Sequence, residues 1–224
     1  MKHDITFIHT AEIHVATFDR LVSEAANKEG ITLAINHVVK PFFLSHAQQY
    51  GVDVNLEAEF SKLIAELRVA TSLIVVTCSS IGALAEQFDS INGCQVQRID
   101  RAMANYAVSN GNKILAVAAL ESTLIPTREL LKSSVNQLGL YPEITLHHID
   151  NIWDYLQTGD LDRYYAEIAK ELELKEKEYD LILLAQASMM GVEDMVNVSI
   201  PIISSPRLGV QRAINTLRPL GNTL

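Results

Sequence analysis

Two stretches of the sequence, LIVVTCSSIGALAE at 73–86 and LILLAQASMMGVED at 181–194, follow the same pattern. Each begins with an apolar run of strand length, continues through small polar residues and ends in an apolar segment that can start a helix. The two stretches align without a gap, and this register pairs Cys78 with Gln186. The repeat indicates a duplicated half-domain in which only the first copy carries a thiol.

The rest of the chain alternates between short apolar runs typical of strands and longer segments with the spacing of amphipathic helices. Because strand and helix alternate, the sequence predicts parallel strands joined by right-handed crossovers, and therefore an α/β fold. We predict two similar Rossmann-like half-domains, related by a pseudo-two-fold axis, with the active-site cleft between them. The predicted strands are Ile5–Ile8, Thr32–Val39, Leu73–Val76, Val96–Ile99, Ile114–Ala118, Glu143–His147, Leu181–Leu184 and Pro201–Ile203.

The predicted boundary between the half-domains lies at the polar segment SNGN, Ser109–Asn112. The first half-domain then takes residues 1–108 and the second takes residues 109–205. A last helix, at 206–224, is expected to return to the first half-domain, with Pro206 opening it. Asn55 and Thr123 are predicted helix starts, because their side chains can accept a hydrogen bond from the first turn.

The composition limits the class of function. The chain of 224 residues has a formal net charge of −9, which argues against a nucleic-acid or anionic-membrane partner. No apolar run approaches the roughly 20 residues that a membrane span needs. The first residues lack the long apolar segment of a signal peptide, so we expect a cytoplasmic protein. Its two cysteines, Cys78 and Cys94, are then expected to be reduced thiols.

The residues that follow the predicted strands are candidate ligands of a substrate, because parallel sheets bind ligands at the carboxyl ends of their strands. Cys78 lies in a TCSS turn before an expected helix, where the partial positive charge of the helix start lowers the pKa of a thiol. The same amides and hydroxyls suit a carboxylate. Alternatively, Cys78 is a small buried residue that ends a strand, and the local sequence favours neither interpretation. The candidate substrate-binding residues are His9, Thr10, Thr77, Ser79, Ser80, Ser122, Thr123, Ala187 and Ser188.

Six motifs follow one another along nearly the whole chain: HT at 9–10, VTCSSIG at 76–82, RIDRAM at 98–103, ESTLIPTRELL at 121–131, LLAQASMMG at 183–191 and PIISSPRLGV at 201–210. In this order they resemble the aspartate/glutamate/hydantoin racemase superfamily, which also contains maleate isomerases and arylmalonate decarboxylases. The resemblance implies an isomerase that needs no metal or organic cofactor and acts on a small carboxylate or amino acid. The spacings of the histidine and acidic residues match no known metal site. We also expect the protein to form a homo-oligomer.

In that family two cysteines, one in each half-domain, stand on opposite faces of the substrate carbon, and one removes a proton while the other returns one. Cys78 matches the first cysteine, and Gln186 occupies the place of the second. A glutamine amide cannot exchange a proton near neutral pH, but it can donate a hydrogen bond to a carboxylate or enolate oxygen. We therefore expect Cys78 and Gln186 to be the catalytic residues of a racemase-like enzyme that transfers a proton at the α-carbon.

Two alternatives stay open because the second thiol is missing. One is a one-thiol decarboxylase or lyase of the arylmalonate decarboxylase type. The other is a catalytically silent homologue that keeps the cleft for ligand binding.

Overall fold

The computed structural model describes residues 2–88 and 93–218 and divides the chain into two compact units. The first unit takes residues 1–99 and 206–224, and the second takes residues 100–205. Each unit contains one four-stranded sheet in which every described strand pair is parallel. This arrangement confirms the predicted α/β fold with two half-domains.

The first unit has the strand order β2-β1-β3-β4. In one of its core clusters, Ile8 and Val76 of the sheet pack with Leu56 and Phe60. Its strands are β1 (His3–His9), β2 (Ile35–Val39), β3 (Thr71–Val76) and β4 (Gln95–Arg98). Its helices are α1 (Ile13–Lys28), α2 (Pro41–Tyr50), α3 (Val54–Leu67) and α4 (Gly82–Ala85).

The second unit repeats this topology with the strand order β6-β5-β7-β8. Val117 and Leu184 on the sheet pack with Tyr164 and Leu172, which follow the helical spacing seen in the sequence. Its strands are β5 (Lys113–Ala118), β6 (Glu143–His148), β7 (Leu181–Leu184) and β8 (Ile202–Ser204). Its helices are α5 (Arg101–Asn110), α6 (Glu121–Leu138), α7 (Trp153–Thr158) and α8 (Leu161–Lys175).

The units divide after Ile99, nine residues before the end of the predicted first half-domain at 108. The difference is helix α5, which the sequence analysis assigned to the first half-domain. The buried guanidinium of Arg101 donates a hydrogen bond to Ser134 Oγ on α6 at 3.0 Å. Because this contact is buried, α5 belongs with the helix that follows it.

Two helix starts differ from the prediction. Helix α3 begins after Asp53, whose carboxylate accepts a hydrogen bond from the Leu56 N–H at 2.9 Å, and Asn55 lies inside the first turn. This hydrogen bond is the first cause of a lowered pKa of Asp53. Helix α6 begins at Glu121, so Thr123 also lies in the first turn.

The last helix, α9 (Ser205–Leu217), packs in the first unit from Pro206 onward. Its residue Gly209 approaches the backbone of Ile99 so closely that a Cβ atom there would overlap the Ile99 carbonyl oxygen. The chain beyond 218 lies outside the described residues. No helix of the part that is described is long and apolar enough to cross a membrane.

We predict that Gly209→Ala lowers the free energy of unfolding by about 1–3 kcal/mol, the usual cost of overpacking a core. Without this contact, Gly→Ala inside a helix would raise stability by roughly 1 kcal/mol. The sign of the change in stability therefore shows whether the contact is present. Urea unfolding measures it. The exposed residue Gln211 on the same helix provides the matched control Gln211→Ala, which should change stability little. A stabilised Gly209→Ala protein would show that α9 does not approach Ile99.

Candidate active site

Cys78 lies at the carboxyl end of the central strand pair of the first unit. The parallel pairing of β1 and β3 ends with the Thr77 N–H donating to the Ile8 carbonyl at 3.0 Å. Cys78 follows in an extended conformation, with φ −94° and ψ 117°, and precedes a 3₁₀ turn over Ser79–Ile81. Its half-buried side chain packs against the core of the first unit. The thiol therefore sits where ligands of parallel sheets bind.

Burial raises the pKa of the Cys78 thiol above its usual range. Hydrogen bonds from the Thr10 hydroxyl, from the backbone at Ser80 and Ile81, and from the Ser80 side chain act in the opposite direction. The prediction that a helix start lowers this pKa is therefore wrong. The segment after Cys78 is a 3₁₀ turn and the four-residue helix α4, which is too short to develop a full helix dipole. Removal of the sulfur from water has the larger effect.

The same hydrogen bonds define what Cys78 can do chemically. A thiol with a raised pKa holds its proton in the unliganded protein, so it can act as an acid. Once the proton has left, the donors from Thr10, Ser80 and Ile81 are already in place to stabilise the thiolate.

Arg98 supports the turn that carries Cys78, a contact that the sequence analysis missed. The Arg98 side chain is buried and forms an ion pair with Glu86, with 3.3 Å between Nη1 and Oε2. Its guanidinium lies against Gly82, where a Cβ atom would come within 2.8 Å of Nη2. Gly82 is thus the residue that lets the arginine pack here. The motif RIDRAM at 98–103 contained this residue, but its pairing with Gly82 depends on the fold.

His9 is fully buried, and both of its ring nitrogens have partners. Nδ1 is 2.8 Å from Thr77 Oγ1, and Nε2 is 2.8 Å from His37 Nδ1. Burial, followed by the neighbouring His14 and His37, lowers the pKa of His9 to about 3. His9 is therefore a neutral residue that holds Thr77. In this arrangement it offers no free nitrogen to a substrate. The sequence analysis did not find His37, since nothing in its local sequence indicates a contact with His9.

Gln186 occupies the equivalent place in the second unit. Ala185 N–H donates to the Val117 carbonyl at 2.9 Å, as Thr77 N–H does to Ile8. Gln186 follows in an extended conformation and precedes a 3₁₀ segment over Ala187–Asp194. The structure thus supports the ungapped register that pairs position 78 with position 186.

The orientation of the Gln186 amide is fixed by its chemistry. The Ala119 N–H donates a hydrogen bond to Gln186 Oε1 at 2.6 Å, and only the carbonyl end of the amide can accept it. The remaining functional group is the NH₂, which is a donor. Gln186 therefore has the polarity that a carboxylate or enolate ligand requires.

The other predicted substrate-binding residues of the second unit differ in their hydrogen bonds. Ser188 Oγ is 3.1 Å from the hydroxyl of buried Tyr164, and Ala187 is also buried. Thr123 lies buried in the first turn of α6, where its carbonyl accepts the Thr127 hydroxyl at 2.8 Å. Ser122 Oγ is a buried atom for which the structure shows no hydrogen-bond partner. Ser122 is thus the hydroxyl among these that has an unused donor.

The first unit brings five predicted residues together around the strand end that carries Cys78. They are His9, Thr10, Thr77, Ser79 and Ser80.

Cys94 lies apart from this group, because it is buried in the core and its thiol donates to the Gln95 carbonyl at 3.6 Å. Neither cysteine forms a disulfide. Within residues 2–88 and 93–218, no group of three or more His, Cys, Asp or Glu side chains could hold a metal ion.

Comparison with solved structures identifies the fold. An aspartate racemase from Picrophilus torridus matches 97% of this chain and 94% of its own, with a TM-score of 0.70 and 14% identity. The chain has the fold of the aspartate and glutamate racemases. A glutamate racemase from Bacillus anthracis matches with a TM-score of 0.67 and 13% identity, over 96% of this chain and 81% of its own.

An allantoin racemase from Pseudomonas fluorescens, at 14% identity, matches 96% of this chain and 91% of its own with a TM-score of 0.56. The sequence matches no family model and no curated protein. These likenesses confirm the racemase fold that the six motifs indicated. The residues that match the motifs carry the functional argument.

We predict that Thr10→Val slows alkylation of Cys78 by about tenfold near neutral pH, since it removes a hydrogen bond to the thiolate worth roughly one pKa unit. The sign follows from the Thr10 hydroxyl, which lowers the pKa of the thiol. Iodoacetamide labelling across pH, quantified on the Cys78 peptide by mass spectrometry, measures the rate. Thr10→Ser keeps the hydroxyl and should restore it. Equal rates in all three proteins would mean that Thr10 does not contact the thiolate.

Proposed function

We propose that this protein is a cofactor-independent enzyme of the aspartate/glutamate racemase superfamily, which transfers a proton at the α-carbon of a small carboxylic or amino acid. One observation carries the proposal: the Cys78 sulfur sits at the carboxyl end of β3 within reach of the Thr10 hydroxyl and the backbone at Ser80 and Ile81. A sulfur held only for packing needs no such donors. The racemase fold supports the same interpretation.

The reaction requires Cys78 to gain and lose one proton. The Cys78 thiol first loses its proton to solvent. The resulting thiolate takes the α-proton, and the electron pair of the broken C–H bond passes into the substrate carboxylate to form an enediolate. The new S–H bond then returns its proton to carbon. The Gln186 NH₂ is the proposed donor to a carboxylate oxygen, where negative charge grows as the enediolate forms.

Because Gln186 cannot exchange a proton, Cys78 acts on one face of the carbon only. A proton removed and returned by the same sulfur leaves the configuration unchanged. A catalyst of this kind exchanges the α-proton with solvent but racemises its substrate slowly, unless another group serves the opposite face.

The raised pKa of Cys78 favours a second candidate function, a decarboxylase or lyase that begins with a protonated thiol. In that reaction the C–C bond breaks, carbon dioxide leaves, and the electron pair stays on the α-carbon as an enolate. Cys78 then gives its proton to that carbon, and the thiolate recovers a proton from water. This reaction needs one acid on one face, which is what the first unit provides.

Under either function, we expect the product to carry a solvent-derived proton on one face. A panel of small carboxylates, α-amino acids and α-substituted malonates, incubated in heavy water and followed by NMR and chiral chromatography, tests this. Deuterium uptake with retained configuration indicates proton exchange, and loss of carbon dioxide with one enantiomer indicates decarboxylation. Rapid formation of a racemate by the wild-type protein would contradict the one-faced mechanism.

Cysteine variants separate catalysis from silent binding. Cys78→Ala should reduce turnover at least 10³-fold, the scale of a lost acid–base group. Cys94→Ala is the matched control, because Cys94 is a core thiol and its loss should leave turnover nearly unchanged. If the wild-type protein binds a carboxylate yet converts nothing in the panel, it is the silent homologue.

The sequence also predicts that positions 78 and 186 serve one substrate. We therefore expect Gln186→Cys to introduce or raise racemisation of a substrate that the wild-type protein already binds, since it supplies a second thiol. Ala187→Cys is the matched control and should not do so, because Gln186 is the second residue after β7, as Cys78 is the second residue after β3. Chiral chromatography of the recovered substrate measures both rates. Racemisation by Ala187→Cys alone would overturn this register.

A further inference from the structure

A row of four side chains runs through the first unit behind Cys78 and is not used by the proposed reaction. It begins at Asp19 on α1, where Asp19 Oδ1 lies 3.0 Å from His37 Nε2. His37 Nδ1 is 2.8 Å from His9 Nε2, and His9 Nδ1 is 2.8 Å from Thr77 Oγ1. Thr77 is the residue before Cys78. The row therefore links a surface carboxylate to the strand end that carries the thiol.

The solvent exposure of the side chains in the row decreases from Asp19 to His9. The Asp19 side chain is 55% exposed and that of His37 is 13% exposed, whereas His9 is fully buried. The two hydrogen-bonded imidazole rings are nearly parallel, with 5.1 Å between their centroids, and the Phe7 ring lies within 6 Å of both. In such a setting, each ring nitrogen needs a matching partner, because an unpaired buried polar atom is costly.

Counting protons along the row gives two ordered patterns. In the first, the Thr77 hydroxyl donates to the Ile8 carbonyl, 3.0 Å away, so Thr77 Oγ1 accepts from His9 Nδ1–H. His9 Nε2 then accepts from His37 Nδ1–H. Since Asp19 is an acceptor, His37 must also donate from Nε2. This pattern requires a doubly protonated, cationic His37.

The second pattern holds one proton fewer. With a neutral His37 that still donates from Nε2 to Asp19, His37 Nδ1 must accept from His9 Nε2–H. His9 Nδ1 must then accept, and the only proton for it is that of the Thr77 hydroxyl, which leaves the Ile8 carbonyl. Loss of one proton from His37 thus reverses every hydrogen bond between His37 and Thr77.

We propose that Asp19, His37 and His9 form a proton-ordered row whose charge, set at His37, fixes the direction of the Thr77 hydroxyl beside Cys78. His9 and His37 are positioning residues, and their role in catalysis rests on the proposed function. With His37 protonated, the row carries one more positive charge than with His37 neutral, and this difference favours the Cys78 thiolate. In the neutral state that support is absent.

The other titratable side chain that faces the row among the described residues is His14, from α1. Its ring centroid lies 6.2 Å from that of His9, and burial lowers its pKa to about 4. The remaining groups are Asp19 on the same helix and the Cys78 thiol after β3. The proton of the row is therefore assigned to His37.

Nitrogen-15 NMR of the histidine side chains tests the row in the wild-type protein without any substrate. Across a pH titration, His9 should change from its Nδ1–H to its Nε2–H tautomer at the same midpoint at which His37 loses its charge. Asp19→Asn should lower that midpoint by roughly one pH unit, since it removes a partly exposed charge-assisted hydrogen bond. A His9 that keeps one tautomer while His37 titrates would overturn the row.

Alkylation of Cys78 tests the positioning role. In the wild-type protein, the rate should rise less than tenfold per pH unit through the His37 midpoint, because each proton lost from the row disfavours the thiolate. His37→Gln should give a plain tenfold rise per unit below the pKa of the thiol. Glu171→Gln is the matched control, since Glu171 pairs with His147 in the second unit at 3.2 Å, and it should follow the wild type.

The outcomes separate the two proposals. Identical alkylation profiles for wild type and His37→Gln would overturn the positioning role. If the NMR and alkylation results are as expected while the protein converts no member of the carboxylate panel, the row stands and the proposed function fails.

Discussion

The hydrogen bond from the Thr77 N–H to the Ile8 carbonyl is the constraint on which the candidate site depends. It is the last rung of the parallel ladder between β1 and β3, and it fixes Thr10 and Cys78 at neighbouring strand ends. The second unit has the same rung between Ala185 and Val117. Because strand pairing sets both ends in register, each unit presents one residue at the same point beyond its sheet, a thiol in one case and an amide in the other.

The two strand ends have the same backbone arrangement but different polar side chains. Around the first, His9 and Thr77 bond to each other, and Thr10 reaches the sulfur. In the second ladder the matching rung runs through Ala185, and the Ala119 backbone bonds to Gln186 instead. The unit that carries the thiol is thus also the one with a fully buried imidazole, that of His9, hydrogen-bonded at the same strand end.

The sequence was sufficient for the parts of the fold that depend on local pattern. All eight predicted strands are present, and the run Leu181–Leu184 has the predicted bounds, because continuous apolar runs are typical of buried parallel strands. Features that depend on contacts between residues far apart in the sequence were harder to predict. Helix α5 was assigned to the wrong side of the boundary because the buried contact between Arg101 and Ser134 spans 33 residues.

The same distinction holds for the site. The ungapped repeat located Cys78 and Gln186 and paired them in the register that the structure shows. The sign of the change in the Cys78 pKa was wrong, since desolvation depends on how the chain packs around the sulfur rather than on the TCSS turn itself. His37 and Asp19 were missed for a related reason, because His37 reaches His9 from a different strand and Asp19 reaches His37 from a helix.

The order of the two units along the chain also has a consequence for synthesis. The second unit, residues 100–205, is one continuous segment, whereas the first needs α9, which follows the second unit in the sequence. On the ribosome, the second unit can therefore complete its fold before the first unit, which must wait for α9 to emerge.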